Sequence, residues 1–284
     1  MQASQIPPPP PTPETPISPA PTELQPPRRS RKKLGIVVAL VAVIAVALVA
    51  VVFLANPSFF AMGETVPLTF SYNAGEKMTY SMTMTMDLMG QETTATGTST
   101  MEVLSVQGDT YTIKTTTNVE SAGSSSYTMT MDKTGRITDY GNLPESVQSS
   151  LNSMSFMPGY GSTFPKPEVK VGESWQIPLD SEVSGVSLQG TVNCKVSEVK
   201  SLTVPAGTYN VFKMEISINN AHASTSSLGT DIEMTMNANG HVYLEKGTGR
   251  TVELWFEETV SGSSMGSAAN IDLEIQMQLT EHIR

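Results

Sequence analysis

Residues 34–55, LGIVVALVAVIAVALVAVVFLA, run for 22 positions without a charged or hydrogen-bonding side chain. No other stretch limits the fold so tightly. At about 1.5 Å per residue, a helix of this length covers roughly 33 Å, close to the ~30 Å hydrocarbon core of a bilayer. The segment holds eight Val, four Leu, two Ile and one Phe. At roughly 0.3–0.6 kcal/mol each, these favour insertion by about 5–9 kcal/mol. Backbone groups in lipid must satisfy one another, so a single transmembrane helix is expected. It divides the chain into a tail (1–33), the span (34–55), a linker (56–65) and a domain (66–284).

Charge sets the direction. Arg28, Arg29, Arg31, Lys32 and Lys33 abut the span, and no Lys or Arg follows before Lys77. The positive-inside rule places the N-terminus in the cytoplasm and the C-terminal domain outside the cell, as a single-pass signal anchor in the cell membrane. Two processed forms fit less well. A signal peptide has a shorter apolar region, and cleavage after Ala55 would put Phe53 at the −3 position. A prepilin cut after Gly35 would find Leu34 where that pattern prefers a charge.

The tail carries eleven of the nineteen prolines. Such a segment favours solvated polyproline II, so a disordered Pro-rich tail is expected, with docking of Pro7–Pro11 into an aromatic groove as the alternative. Before residue 34 the formal charge is +3; the remainder carries −13. A domain this acidic excludes nucleic acid as a partner on electrostatic grounds. The single cysteine, Cys194, excludes an internal disulfide.

From Val66 onward the dominant period is two. Met78, Tyr80, Met82, Met84, Met86 and Leu88 fall on one face of a run whose other face is Thr, Ser and Asp. The alternation returns in Tyr127, Met129 and Met131, in Phe212, Met214, Ile216 and Ile218, in Ile232, Met234 and Met236, and in Ile271 to Leu279. One apolar and one polar face predict a mainly β fold, a twisted antiparallel sheet with one wet side. Turn signals separate the runs at Gln107-Gly108-Asp109, Asp132-Lys133-Thr134-Gly135, Pro205-Ala206-Gly207 and Lys246-Gly247-Thr248-Gly249. One or two short helices are expected beside the sheet, one of them near Pro144–Met154, opened by Pro144 and capped by Asn142.

Residues 66–140 and 170–284 read as repeats. Gly75-Glu76, Gly97-Thr98, Val103-x-x-Val106, Thr110-Tyr111-x-Ile113 and Thr134-Gly135-Arg136 recur in order as Gly172-Glu173, Gly190-Thr191, Val196-x-x-Val199, Thr208-Tyr209-x-Val211 and Thr248-Gly249-Arg250. Duplication is one reading; chance similarity of short strands with glycine turns is the other. The stretches YNAGEKMTY (72–80), KVGESW (170–175) and TVPAGTYNVFKMEI (203–216) resemble uncharacterised bacterial and archaeal envelope β-domains, a group similar to the LolA/LppX-like lipoprotein carriers. That resemblance implies a curved, half-barrel-like sheet able to cradle an acyl chain.

Catalytic patterns are not visible. His222, His241 and His282 are isolated, no metal-spaced pair occurs, and Gly247-Thr248-Gly249 lacks the helix of a phosphate loop. No enzyme activity, cofactor or metal is expected. The one compositional anomaly is seventeen methionines. Met82, Met84, Met86, Met129, Met131, Met234 and Met236 are the candidate ligand-binding residues. Core packing and soft-metal binding are the competing roles for their thioethers. The expectation is a membrane-anchored extracytoplasmic module that binds a hydrophobic ligand or a surface protein on this face. The alternative is a structural or pilin-like surface component without a small ligand.

Overall fold

A computed structural model gives the fold of residues 64–88, 90–120, 123–142, 168–183, 186–227, 230–264 and 267–284, the side chains of 181–186, 225–232 and 263–269 left aside. The expected transmembrane helix at 34–55 and the short helix near Pro144–Met154 lie outside these residues. Among the described residues every element is a strand, and no helix is long and apolar enough to cross a membrane.

β1 (Thr65–Pro67) pairs with β7 (Glu168–Lys170) as a separate two-stranded sheet. The others form two meanders. β2 (Lys77–Leu88), β3 (Gln91–Gln107), β4 (Thr110–Val119), β5 (Gly123–Asp132) and β6 (Ile137–Asp139) make the first. β8 (Ser174–Val183), β9 (Val186–Val204), β10 (Gly207–Ser227), β11 (Thr230–Glu245), β12 (Thr251–Ser264) and β13 (Ser267–Ile283) make the second. Antiparallel pairing of β2 with β13 joins them into one 11-stranded sheet, ordered β6-β5-β4-β3-β2-β13-β12-β11-β10-β9-β8.

Alternation decides what each face does. Directly paired residues share a face, so the apolar set carries across the sheet: Met214 opposes Val242, Val242 opposes Leu254, Leu254 opposes Met277, and Met277 opposes Met82. The other face is held by cross-strand hydroxyls, with Thr79 to Thr100 at 3.4 Å, Thr85 to Thr94 at 3.3 Å and Thr116 to Ser126 at 3.1 Å. β-Branched threonine suits this wet, pleated surface. The deepest side chains are apolar, among them Phe212, Phe256, Ile177 and Met214. Each stabilises the fold by roughly 1.5–3 kcal/mol through burial.

The sheet curls around its apolar face. In a flat sheet β10 and β13 would lie ~14 Å apart, three spacings of ~4.8 Å. Instead the Ala206 amide, in the β9–β10 turn, donates to the Leu279 carbonyl of β13 at 3.4 Å. The segment between β1 and β2 tightens this end further. Its Phe70 amide donates to Lys133 O in the β5–β6 turn at 2.7 Å, and the Ser71 amide donates to Thr248 O in the β11–β12 turn at 2.9 Å. Those turns are six strands apart in the sheet, ~29 Å if flat. Adjacent amides hold them within roughly 10 Å of each other. Phe70 and Tyr72 stack at 5.9 Å, Tyr72 meets the Tyr111 ring edge-on at 5.4 Å, and the Tyr111 hydroxyl donates to Phe70 O at 3.0 Å. This aromatic plug closes one end of the curl.

The Gly75-Glu76 and Gly172-Glu173 turns share one geometry. Both glycines have positive φ, 83° and 93°. Gly75 N donates to Val103 O at 2.8 Å and Gly172 N to Val196 O at 2.6 Å; Val103 N returns a bond to Glu76 O, as Val196 N does to Glu173 O. In each turn the glutamate carboxylate also accepts from the backbone amide three residues earlier, Asn73 or Lys170.

Candidate functional site

Register places all seven candidate methionines on the one apolar face. On β2, Met82 faces Met277 and Gly97, Met84 faces Ile275 and Ala95, and Met86 faces Leu273 and Thr93. Met129 and Met131 face Ile113 and Tyr111. Met236 faces Ala221 and Val260, and Met234 faces Ala223 and Gly262.

They are spread over three strands that are not neighbours, β5 and β11 each lying three positions from β2 in the sheet order. Met234 and Met236 are buried in the second meander, at 7% and 1% exposure. Met82, Met84, Met86 and Met129 are only half-buried. Met129 and Met131 line a cavity of about 280 Å³ at the plugged end, together with Met101, Met277, Tyr80 and Tyr127, beneath Phe70 and Tyr72. Met82, Met84 and Met86 continue the half-buried strip from Met277 along β2. Sites that enclose a small molecule are usually ~300 Å³ or more.

Beside the cavity lies a buried ionic network that alternation does not reveal. Arg250, from the β11–β12 turn, pairs with Glu76 at the start of β2 and with Glu245 at the end of β11. His282 Nε2 sits 3.0 Å from Glu76 Oε1. The tautomer with its proton on Nε2 donates to that carboxylate and leaves Nδ1 facing the Tyr209 hydroxyl at 3.4 Å. Burial pushes the Glu76 carboxyl up, but the Asn73 amide, the Arg250 guanidinium and His282 outweigh it and hold the group below the usual carboxylate range. His282 is held below the ordinary imidazole value by burial first and by Arg250 second. These groups are committed to one another.

One carboxyl has no such company. Glu258 of β12 is 2% exposed, and neither of its oxygens has a hydrogen-bond partner. It occupies an inward position of the run Val252, Leu254, Phe256, Glu258, Val260. Burial pushes its carboxyl up to about 8. The sequence signal was an acid at a single inward step of an alternating strand.

The opposite, polar face carries a wider groove of about 850 Å³ along β8–β12, lined by Asn193, Lys213, Glu215, His241 and Trp255 among others. Within it Lys213 pairs with Glu215 at 3.2 Å, and the Trp255 indole donates to Glu274 at 2.9 Å. Cys194 lies buried in β9 between Trp175 and Ile216. Among the described residues, no group of three or more His, Cys, Asp or Glu is arranged to hold a metal ion.

No protein-family model matches the chain, and no curated protein matches it. Solved structures are similar at low identity. A protein from Bacteroides fragilis, described as exported and of YmcC-like fold, is 11% identical over 77% of this chain and 100% of its own, with a TM-score of 0.37. YmcC from Escherichia coli, described as a hypothetical lipoprotein, is 11% identical over 69% of this chain and 83% of its own, TM-score 0.24. Lipovitellin is 10% identical over 75% of this chain and 26% of its own, TM-score 0.45. These likenesses assign no ligand or activity to this chain.

Proposed function

We propose that this protein is a membrane-anchored, extracytoplasmic and non-enzymatic module that holds a hydrophobic ligand on the inner face of its curled sheet. The observation that carries this reading is the 280 Å³ cavity under the Phe70–Tyr72 plug, lined by Met101, Met129, Met131 and Met277. Methionine is flexible and polarizable, and suits a surface that accepts chains of varying shape. The ionisable groups beside the cavity are tied to one another, which favours holding a ligand over transforming it. Residues 34–55 supply the anchor, with the N-terminus in the cytoplasm. The same reading takes residues 66–140 and 170–284 as copies of one unit, supported by the matched Gly75-Glu76 and Gly172-Glu173 turns.

The test uses the full chain, extracted from its host membrane in mild detergent, delipidated in stages and assayed by mass spectrometry for retained apolar molecules. Met129→Asp and Met277→Asp place a charge in the half-buried cavity wall, and Met129→Leu and Met277→Leu preserve its apolarity. Retention by the wild type and the leucine variants, with loss from folded aspartate variants, supports the ligand role. A wild type that retains nothing favours a structural surface component instead.

A further inference from the structure

Glu258 opposes Ala238 on one side and Leu273 on the other. Along its own strand the same-face neighbours are Phe256 and Val260, and the diagonal neighbours include Met236 and Ile271. A carboxyl ringed by apolar groups, with both oxygens unpartnered, is costly to the fold whether ionised or neutral. Leucine at this position would continue the Val252-Leu254-Phe256 pattern without that cost. The position is therefore better explained by something the carboxyl binds than by packing.

Its location fits the ligand strip. Leu273 separates Glu258 from Met86, so the carboxyl is level with the far end of the methionine row on β2. From Tyr80, in the cavity wall, to Met86 is six residues of strand, ~20 Å. One leaflet of a bilayer holds its acyl chains in ~15 Å. The strip is long enough for a whole acyl chain, with its tip under the aromatic plug and its polar end at Glu258.

We propose that Glu258 is the polar anchor of this site and that the site takes a neutral acyl ester, whose carbonyl oxygen accepts a hydrogen bond from the Glu258 carboxyl. This rests on the hydrophobic-ligand reading above. A fatty-acid anion brings an uncompensated negative charge into an apolar ring that holds no cation, and selection against it follows from the cost of burying that charge. The acid's raised proton affinity agrees, since it keeps the donating hydrogen in place at neutral pH.

Three fluorescent probes decide the matter on the full-length protein in mild detergent at pH 7: pyrenedecanoic acid methyl ester, the free acid, and pyrenedecylamine. The wild type should bind the ester at least tenfold more tightly than the free acid. Glu258→Leu should remove that preference and weaken ester binding about tenfold while raising the melting temperature. Glu258→Gln, whose amide also donates, should retain most of it. Equal ester binding by the wild type and Glu258→Leu overturns the anchor and leaves the apolar site standing. Tighter binding of the amine than of the ester overturns the neutral-ester assignment. Failure of the wild type to bind any of the three overturns the ligand reading itself.

Discussion

Arg250 and Glu76 lie 174 residues apart in the chain and form an ion pair whose side chains are 3% and 0% exposed. The pair ties the entry of β2 to the β11–β12 turn, across the seam between the two meanders. Removing one partner strands the other charge in a dry site, which costs about 3–5 kcal/mol. Arg250→Met should lower the midpoint of urea unfolding accordingly, and Glu76→Gln somewhat less because it keeps an acceptor. A loss below about 1 kcal/mol for Arg250→Met would show that water reaches the pair.

Glu258 and the Glu76–His282 pair make opposite contributions to pH dependence. The folded protein holds the Glu258 proton up to about pH 8, against an ordinary value of 4.5. Its contribution is therefore complete below pH ~4.5 and is lost as pH rises toward 8, by up to about 5 kcal/mol. Glu76 and His282 are both held below their ordinary values. Their contributions are present above those ordinary values and are lost as pH falls through the depressed ones. Thermal melts from pH 3 to 9 should show loss on both sides of a maximum. Glu258→Leu should flatten the alkaline side alone, adding about 1–3 kcal/mol of stability at pH 4, where the carboxyl is neutral in both states, and clearly more at pH 7.5.

Gly249 has φ +67°, and a Cβ there would lie 2.7 Å from the Thr69 carbonyl oxygen. Alanine must bear both the left-handed backbone and a clash with the segment that carries the aromatic plug. Gly247 has φ +93° with open space around it. Gly247→Ala should cost about 1–2 kcal/mol from backbone strain alone, and Gly249→Ala clearly more, as read by denaturant unfolding. Equal costs would mean that the segment at Thr69 simply moves aside.

Cys194 is the only cysteine and is buried, so the natural chain gives a clean background for thiol labelling. Ser81 is exposed on β2. In intact cells a membrane-impermeant maleimide should label Ser81→Cys and leave Ser4→Cys untouched until the cells are opened. Labelling of Ser4→Cys in intact cells would reverse the expected topology.

What the sequence made legible is the sheet. Alternation in Met78–Leu88, Tyr127–Met131, Phe212–Ile218 and Ile271–Leu279 marks four strands and their inward sides, because side-chain direction has a period of two. The turns at Gly108, Gly135, Gly207 and Gly249 were equally visible. Alternation says nothing about distance across the sheet, so it could not separate buried Met234 and Met236 from the half-buried row on β2. The Phe70–Tyr72 plug was hidden because it lies in a segment with no period. The Arg250–Glu76 pair was hidden because it depends on curling. Glu258 was within reach, as a lone acid where its strand calls for an apolar residue.

The pairing of β2 with β13 carries one more implication. Thr79 and Glu281, in contact across that seam, are separated by 202 residues. Each meander can zip locally, hairpin upon hairpin, but the seam must close a loop nearly as long as the whole domain before it returns any binding energy. Contacts this distant in sequence slow folding and leave strand edges exposed meanwhile. The joining of the β2 and β13 edges is therefore the most non-local step in assembling the sheet, since the other pairings within it are between strands that follow one another in the chain.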